Sequence, residues 1–402
     1  MGSRFLADRH GGVAPMFALA LVPIIGVVGA AVDYSRANAA RSAMFAALDA
    51  TALMLSRDAA TMPPAQIPAK ATSYFNAQFN RPEVADIQVN AVLNNPQAGS
   101  FTLNVTASGN VPTTFTKVLG QTKMDIGTSV DVKWGVKKLE LALVLDNTGS
   151  MASNGKMTQL KSAARSLLTT LQSAAKQPGD VKVAIIPFDK IVNIGTGYAG
   201  SGWVDYSVHN IRQAQWQGCV QDRDQPYDTQ DTAPTSDFHT KFPAVGCSAI
   251  TPIMTLTDVL DKTGFTNLYS KIDAMNPAGN TNVTIGLVWG WHALTKSEPL
   301  TQGSDPAPDK DKVILLLTDG DNTQNRWTTS GSSIDARTAL ACANAKADNI
   351  KIYTVRVIDG DANLLRNCAT KPNMYYEVSQ ASELNSVFSS IAQNLANLRI
   401  AK

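Results

Sequence analysis

At 402 residues the chain exceeds what one compact core usually carries, so more than one folding unit is expected. Its 35 Lys and Arg against 33 Asp and Glu leave a formal charge of only +2, which excludes the basic footprint needed to grip a phosphate backbone, and nucleic acid is not an expected partner. Hydrophobic residues at 44% and charged residues at 17% exclude a disordered chain.

Residues 1–12 carry Arg4 and Arg9 and read as a cytoplasmic N-terminus. From Val13 to Val32 runs VAPMFALALVPIIGVVGAAV, 20 residues without a charge, and at ~1.5 Å per residue that matches a ~30 Å hydrocarbon layer. Residues 13–33 are therefore expected to be a single-pass anchor. A cleaved signal peptide is the rival reading. Its apolar stretch is usually about 7–15 residues, whereas this one continues straight into helix-forming sequence.

Residues 34–136 follow. Ala37, Ala40, Phe45, Leu48, Ala52 and Leu55 extend an apolar helical pattern to Arg57, where Met62-Pro63-Pro64 stops it. A shorter helix over about 65–79 gives way to alternation at Ile87, Val89, Ala91 and Leu93. Alternation resumes at Phe101, Leu103 and Val105 across the turn-like Asn94-Asn95-Pro96, so a hairpin is expected, with one more strand through Ile126, Val130 and Val132. The segment RHGGVAPMFALALVPIIGVVGAAVDYSRA, with its glycine-rich entry, apolar helix and Asp33-Tyr34-Ser35-Arg36, resembles the TadE/TadG-like family of tight-adherence pilus assembly over roughly the first sixty residues. Phe17 departs from that pattern where a glutamate follows a processing glycine. The resemblance implies a pseudopilin-like long helix with a small sheet, anchored in a bacterial inner membrane.

The cysteines, Cys219, Cys247, Cys342 and Cys368, lack the close pairs of a zinc site. Two disulfides between neighbours, Cys219–Cys247 and Cys342–Cys368, are expected among the three connectivities possible; four buried free thiols are the alternative. Disulfides belong to oxidising compartments, so the bulk of the chain is expected in the periplasm or cell exterior.

From residue 137 onward strands and helices alternate. Leu141 to Leu145 is a near-continuous apolar run, as a parallel strand covered on both faces requires, and Val181 to Phe188, Val313 to Leu317 and Ile350 to Ile358 are of the same kind. Helical sequence over 157–171, 333–348 and 383–399 separates them, which predicts an α/β fold with a mainly parallel, Rossmann-like sheet. Ligands in such sheets collect at the carboxyl ends of strands. Three segments expected there carry oxygens: Asp146-Asn147-Thr148-Gly149-Ser150, Gly279-Asn280-Thr281-Asn282, and Thr318-Asp319-Gly320-Asp321.

An all-oxygen donor set suits Mg2+, with Ca2+ or Mn2+ as alternatives, rather than zinc. With only Asp146 and Asp319 formally charged, the ion stays electron-poor and can accept a carboxylate from a partner protein. The set Asp146, Thr148, Ser150, Thr281 and Asp319 resembles the metal-ion-dependent adhesion site of von Willebrand factor A domains, Asp-x-Ser-x-Ser with a distant threonine and aspartate, and the resemblance runs over about 138–402. Thr148 replaces a serine but keeps the hydroxyl. The plain alternative is turn and helix-capping chemistry. Asn282 and Asp321 are candidates for supporting that shell.

Residues 194–257, rich in Gly, Asp, Thr and Pro, read as an insertion outside the sheet core; Trp203, Trp216 and Tyr227 are candidate anchors for a partner, or else decoration. No phosphate-binding loop, zinc-protease motif or nucleophile elbow occurs, and a hydrolase that borrowed the metal as Lewis acid would have only Asp189 or Asp321 to serve as its base, so no enzyme is expected. The expectation is a cation-dependent binding protein of pilus or envelope assembly. A scaffold whose metal only stabilises the fold is the alternative.

Overall fold

The computed structural model describes residues 13–59, 62–97, 100–135 and 137–400. The expected cytoplasmic stretch 1–12 lies outside the described residues. The chain divides into two compact units, Met1–Gly135 and Val136–Lys402.

In the first unit, helix α1 (Val13–Ala59) is 47 residues long and meets two different surroundings. Before Val32 its apolar side chains face outward: Phe17, Leu19, Ile24, Ile25, Val27 and Val28 are each more than half exposed. From Ala37 onward, Ala37, Ala40, Met44, Ala47, Leu48, Ala52 and Leu55 recur at helical spacing and are all buried. Among the described residues this helix holds the one stretch long and apolar enough to cross a membrane.

The buried stripe packs with helix α2 (Ile67–Gln78), through Ile67, Ala71 and Phe75, and with an antiparallel sheet of β1 (Ala85–Gln97), β2 (Ser100–Pro112) and β3 (Lys123–Gly135) in that order. Alternate residues Leu103, Val105 and Ala107 of β2 point into this core. The hairpin differs from the sequence expectation. β1 runs through Asn94-Asn95-Pro96 to Gln97, with a register shift between Asn94 and Gln97, so the connection falls at 98–99, outside the described residues. β1 is an edge strand, where a residue without an N–H is tolerated.

The second unit starts with β4 (Lys138–Asp146), helix α3 (Lys156–Ala174) and β5 (Val181–Phe188). Four two-residue strands come next: β6 (Val192–Asn193), β7 (Val204–Asp205), β8 (Cys219–Val220) and β9 (Phe242–Pro243). The remainder is β10 (Met254–Asp258), α4 (Lys262–Asp273), α5 (Val283–Leu294), β11 (Lys310–Thr318), α6 (Gly331–Ala347), β12 (Lys351–Val357), α7 (Ala362–Cys368), β13 (Tyr375–Val378) and α8 (Leu384–Ile400). The six-stranded sheet has the order β10-β5-β4-β11-β12-β13, parallel except for β10. Leu141, Leu143 and Leu145 enter the core beneath α3, α4 and α8, while Ala142 and Val144 enter the core beneath α5, α6 and α7. Burial on both faces is why β4 reads as an unbroken apolar run.

Helix α5 explains what the insertion does. All its residues from Val283 to Leu294 are buried, and a helix apolar all round needs cover on every side. On the sheet side it approaches closely at Gly286 and Gly290, where a Cβ would lie 2.5 Å from the Phe188 ring and 2.4 Å from Val144 Cγ2. Its other side lies in one apolar cluster with Trp203, Trp216, Val220, Phe242 and Ala244 from the insertion. The placement of 194–257 outside the sheet core is therefore corrected on two counts. Met254–Asp258 pairs antiparallel with β5 as an edge strand, and the two tryptophans, each only 4% exposed, are core groups instead of surface anchors.

Disulfides join Cys219 to Cys247 and Cys342 to Cys368, with Cα separations of 5.3 and 5.2 Å. The second ties α6 to the end of α7 on one face of the sheet.

Candidate metal centre

β4 and β11 lie side by side and parallel, so their last residues deliver Asp146 and the Thr318-Asp319 pair to one end of the sheet. Asp146 is fully buried. Its Oδ1 accepts the Thr148 N–H at 2.8 Å, which curls the following loop, and its Oδ2 accepts the Thr318 hydroxyl at 2.6 Å. The Gly149 N–H then donates to Gly279 O at 3.0 Å, which fastens the first loop to the one that precedes α5. Gly279 has φ +84, and a Cβ there would fall 2.5 Å from Asp189 Oδ2, so this close approach requires glycine.

Four of the five expected ligands form a continuous chain of contacts. Thr148 Oγ1 and Ser150 Oγ are 2.9 Å apart, and Ser150 Oγ donates to Asp319 Oδ1 at 2.6 Å. Thr281, the fifth, stands at the same place: a Cβ built on Gly320 would lie 3.4 Å from Ser150 Oγ and 3.9 Å from Thr281 Oγ1. Its backbone is pinned by its N–H to Thr323 Oγ1 at 2.8 Å and by the Thr323 N–H to its carbonyl at 2.9 Å. Asp146, Thr148, Thr281 and Asp319 are buried, whereas Gly149 and Ser150 are exposed, so one side of the cluster faces solvent.

The electrostatics match a cation cradle. Burial and the facing Asp319 carboxylate push the Asp146 pKa up to about 6, against the opposing hydrogen bonds from Thr148 and Thr318. Two buried carboxylates that repel each other, surrounded by hydroxyl oxygens, fit a hard divalent ion, which would remove the repulsion. Among the described residues no group of three or more His, Cys, Asp and Glu side chains is placed to hold a metal, so an ion here would need the hydroxyls to complete its shell.

One cation is built in already. Lys156 Nζ donates to Asp319 Oδ2 at 2.8 Å, with the exposed Asp359 carboxylate 3.8 Å away, and both Lys156 and Asp319 are buried. It occupies one oxygen of Asp319 and leaves Oδ1 toward Ser150. Lys156 escaped sequence reading although a signal existed: it falls four residues before Leu160 on the apolar stripe of α3, where a charge needs a buried partner. Thr318 carried no such signal.

The lesser candidates separate. Asn282 caps α5 and donates through Nδ2 to both oxygens of Asp222, at 3.0 and 2.9 Å, and burial pushes the Asp222 pKa up to about 6. Asp222 comes from the insertion and was not foreseen. Asp321 is exposed. Asp189 is buried, and burial raises its pKa while Ser248 Oγ at 2.7 Å and the Ile191 N–H at 2.7 Å occupy its oxygens.

Residues 247–390, within the second unit, match the family model for the von Willebrand factor type A domain. That match contains Thr281 and Asp319; the Asp146 loop joins them through the contacts above. Residues 11–57 match the Flp pilus-assembly TadE/G-like family.

Among solved structures, the chain is similar to the pilus adhesin SpaC from Lactobacillus rhamnosus GG at 14% identity and TM-score 0.43, covering 79% of this chain and 35% of that one. It is similar to the vWF domain of the type V pili tip protein Mfa5 from Porphyromonas gingivalis at 12% identity and TM-score 0.43, covering 67% and 98%. A third likeness is to proximal thread matrix protein 1 of the mussel byssus, with a zinc-occupied MIDAS motif, at 14% identity and TM-score 0.37, covering 65% and 48%. The chain thus spans about a third of the pilus adhesin's length. No curated protein matches it.

Proposed function

We propose that the chain is a membrane-anchored, extracytoplasmic component of tight-adherence pilus assembly that holds a protein partner through a divalent cation, most naturally Mg2+, and that it is not an enzyme. The observation that carries this is the convergence of Asp146, Thr148, Ser150, Thr281 and Asp319 from three loops, with Ser150 on the open side. Such an ion, held by two protein carboxylates, retains positive character toward solvent and attracts a carboxylate from a second protein. The exposed apolar part of α1 supports membrane anchoring, and the two disulfides support an oxidising compartment on the far side. The occupied oxygens of Asp189 weigh against a general base at this site.

The contact between Lys156 and Asp319 favours a second reading, in which the ammonium makes the cluster a metal-independent element of a pseudopilin-like scaffold. Titration calorimetry of the full chain with Mg2+, Mn2+, Ca2+ and Zn2+ separates the two, followed by capture from envelope extract with Mg2+ and then EDTA. At a hundredfold excess over Kd, bound Mg2+ is expected to stabilise the fold by about 2.7 kcal/mol, with no gain in Asp319→Ala. Capture that survives both EDTA and the substitution would defeat the adhesion reading.

A further inference from the structure

The loop between β2 and β3 is held against α1 at the level where the apolar stretch ends. The Asp33 carboxylate accepts the backbone N–H groups of Thr114 at 3.0 Å, Phe115 at 2.9 Å and Thr116 at 2.8 Å, together with the Thr116 hydroxyl at 3.0 Å. Arg36 Nη1 donates to Thr114 Oγ1 at 3.0 Å. Phe115 lies so close to Gly29 that a Cβ there would sit 2.4 Å from the Phe115 Cβ. Gly29 to Arg36 covers about 10 Å of helix axis and brackets the step from uncharged to charged sequence at Val32 and Asp33.

The same loop displays apolar side chains that the protein does not cover. Val118 is 88% exposed, Leu119 71% and Phe115 44%, continuing the outward apolar surface of α1 at Val28 and Val32. Its backbone is largely self-satisfied. Beyond the three donors taken by Asp33, the Val118 N–H reaches Phe115 O, Gly120 reaches Lys117 O and Gln121 reaches Thr116 O, with Thr113 closing the base on Thr122 O. Gly120 at φ +92 makes the reversal. Exposed Lys117 stands between the apolar residues, and exposed Arg36 stands on the helix beside them.

We propose that residues 114–120 are a second membrane contact, with Phe115, Val118 and Leu119 set into the headgroup–acyl boundary of a phospholipid bilayer where α1 leaves it. A surface loop so immersed needs an apolar tip, few unpaired backbone donors and cations level with the phosphates; this loop has the tip, largely paired donors, and Lys117 and Arg36. The inference rests on the reading of α1 as a membrane span. Its consequence is orientational: a single helix leaves the protein free to tilt and swivel, whereas a second contact fixed by Asp33 restrains both.

All four cysteines are in disulfides, so one introduced cysteine carries one fluorophore. The full chain is reconstituted in phospholipid vesicles with an environment-sensitive dye at Val118→Cys, Ile25→Cys or Asp49→Cys, the last lying about 24 Å further along α1 from Asp33. The expected result is a blue-shifted label at 118, quenched by spin-labelled lipid and about threefold less accessible to iodide than the label at 49. Equal iodide access at 118 and 49, with the label at 25 still shielded, would overturn the loop contact and leave the span intact. Iodide access at 25 as well would remove the span, and the loop contact with it.

Discussion

The two ends of the six-stranded sheet treat buried carboxylates in opposite ways. At the strand starts, Glu140 of β4 meets Lys312 at 3.4 Å, and Asp311 of β11 sits between Lys137 at 3.0 Å and Lys351 at 2.8 Å. Burial would raise the Asp311 pKa, yet the two lysines outweigh it and hold the carboxyl below its usual range. At the strand ends, Asp146 and Asp319 face one another with Lys156 as the single buried ammonium, and Asp146 is pushed up to about 6. One end is electrostatically closed by its own side chains; the other keeps charge in reserve. The comparison teaches that a candidate binding site stands out by what its surroundings leave unneutralised.

The largest expected effect breaks the closed end. Lys312→Met would leave Glu140 buried without its cation, and loss of about 3–5 kcal/mol is expected in denaturant unfolding. A change below 1 kcal/mol would mean that the pair is not closed in solution.

The next effect reads the open end through pH. The Asp146 pKa is raised above its unfolded value of about 3.9, so the folded state binds the extra proton; the Asp146 contribution to metal-free stability is fully present below about pH 4 and is lost as pH rises to about 6, by about 2–3 kcal/mol. Asp146→Asn should reduce that slope by the Asp146 share and leave the part due to Asp222, whose pKa is also pushed up to about 6, and saturating Mg2+ should reduce it in the wild type alone. Equal slopes in wild type and Asp146→Asn from about pH 4 to 6 would contradict the raised Asp146 pKa.

The smallest effect sharpens the contrast. Lys156→Met removes the lone ammonium, and Mg2+ affinity measured by calorimetry is expected to rise about tenfold, near 1.4 kcal/mol, as the cluster gains one net negative charge. An unchanged affinity would show that Lys156 and the ion do not compete for Asp319.

Much of this was legible beforehand because local physics repeats at regular spacing. A strand covered on both faces shows as an unbroken apolar run, which is why β4, β5, β11 and β12 could be read, and a strand end followed by a turn is where Asp146 and Asp319 had to stand. The insertion was misread because polarity and glycine content describe its loops, while its function in the fold lies in scattered Trp203, Trp216 and Phe242 meeting an apolar helix some ninety to forty positions later. Asp222 and Lys156 were missed for the same reason, since a charge acquires meaning only from its partner.

What the sequence by itself determined is periodic or contiguous: the long α1 with its uncharged stretch, a mainly parallel sheet, and oxygen-bearing turns at the ends of its strands. Tertiary structure alone decided that Lys156 would share Asp319, that Thr318 would serve Asp146, that an insertion would roof α5, and that Asp33 would gather a loop from eighty residues away. Contacts of that kind depend on distances between segments far apart along the chain, and pattern within a segment carries no information about them.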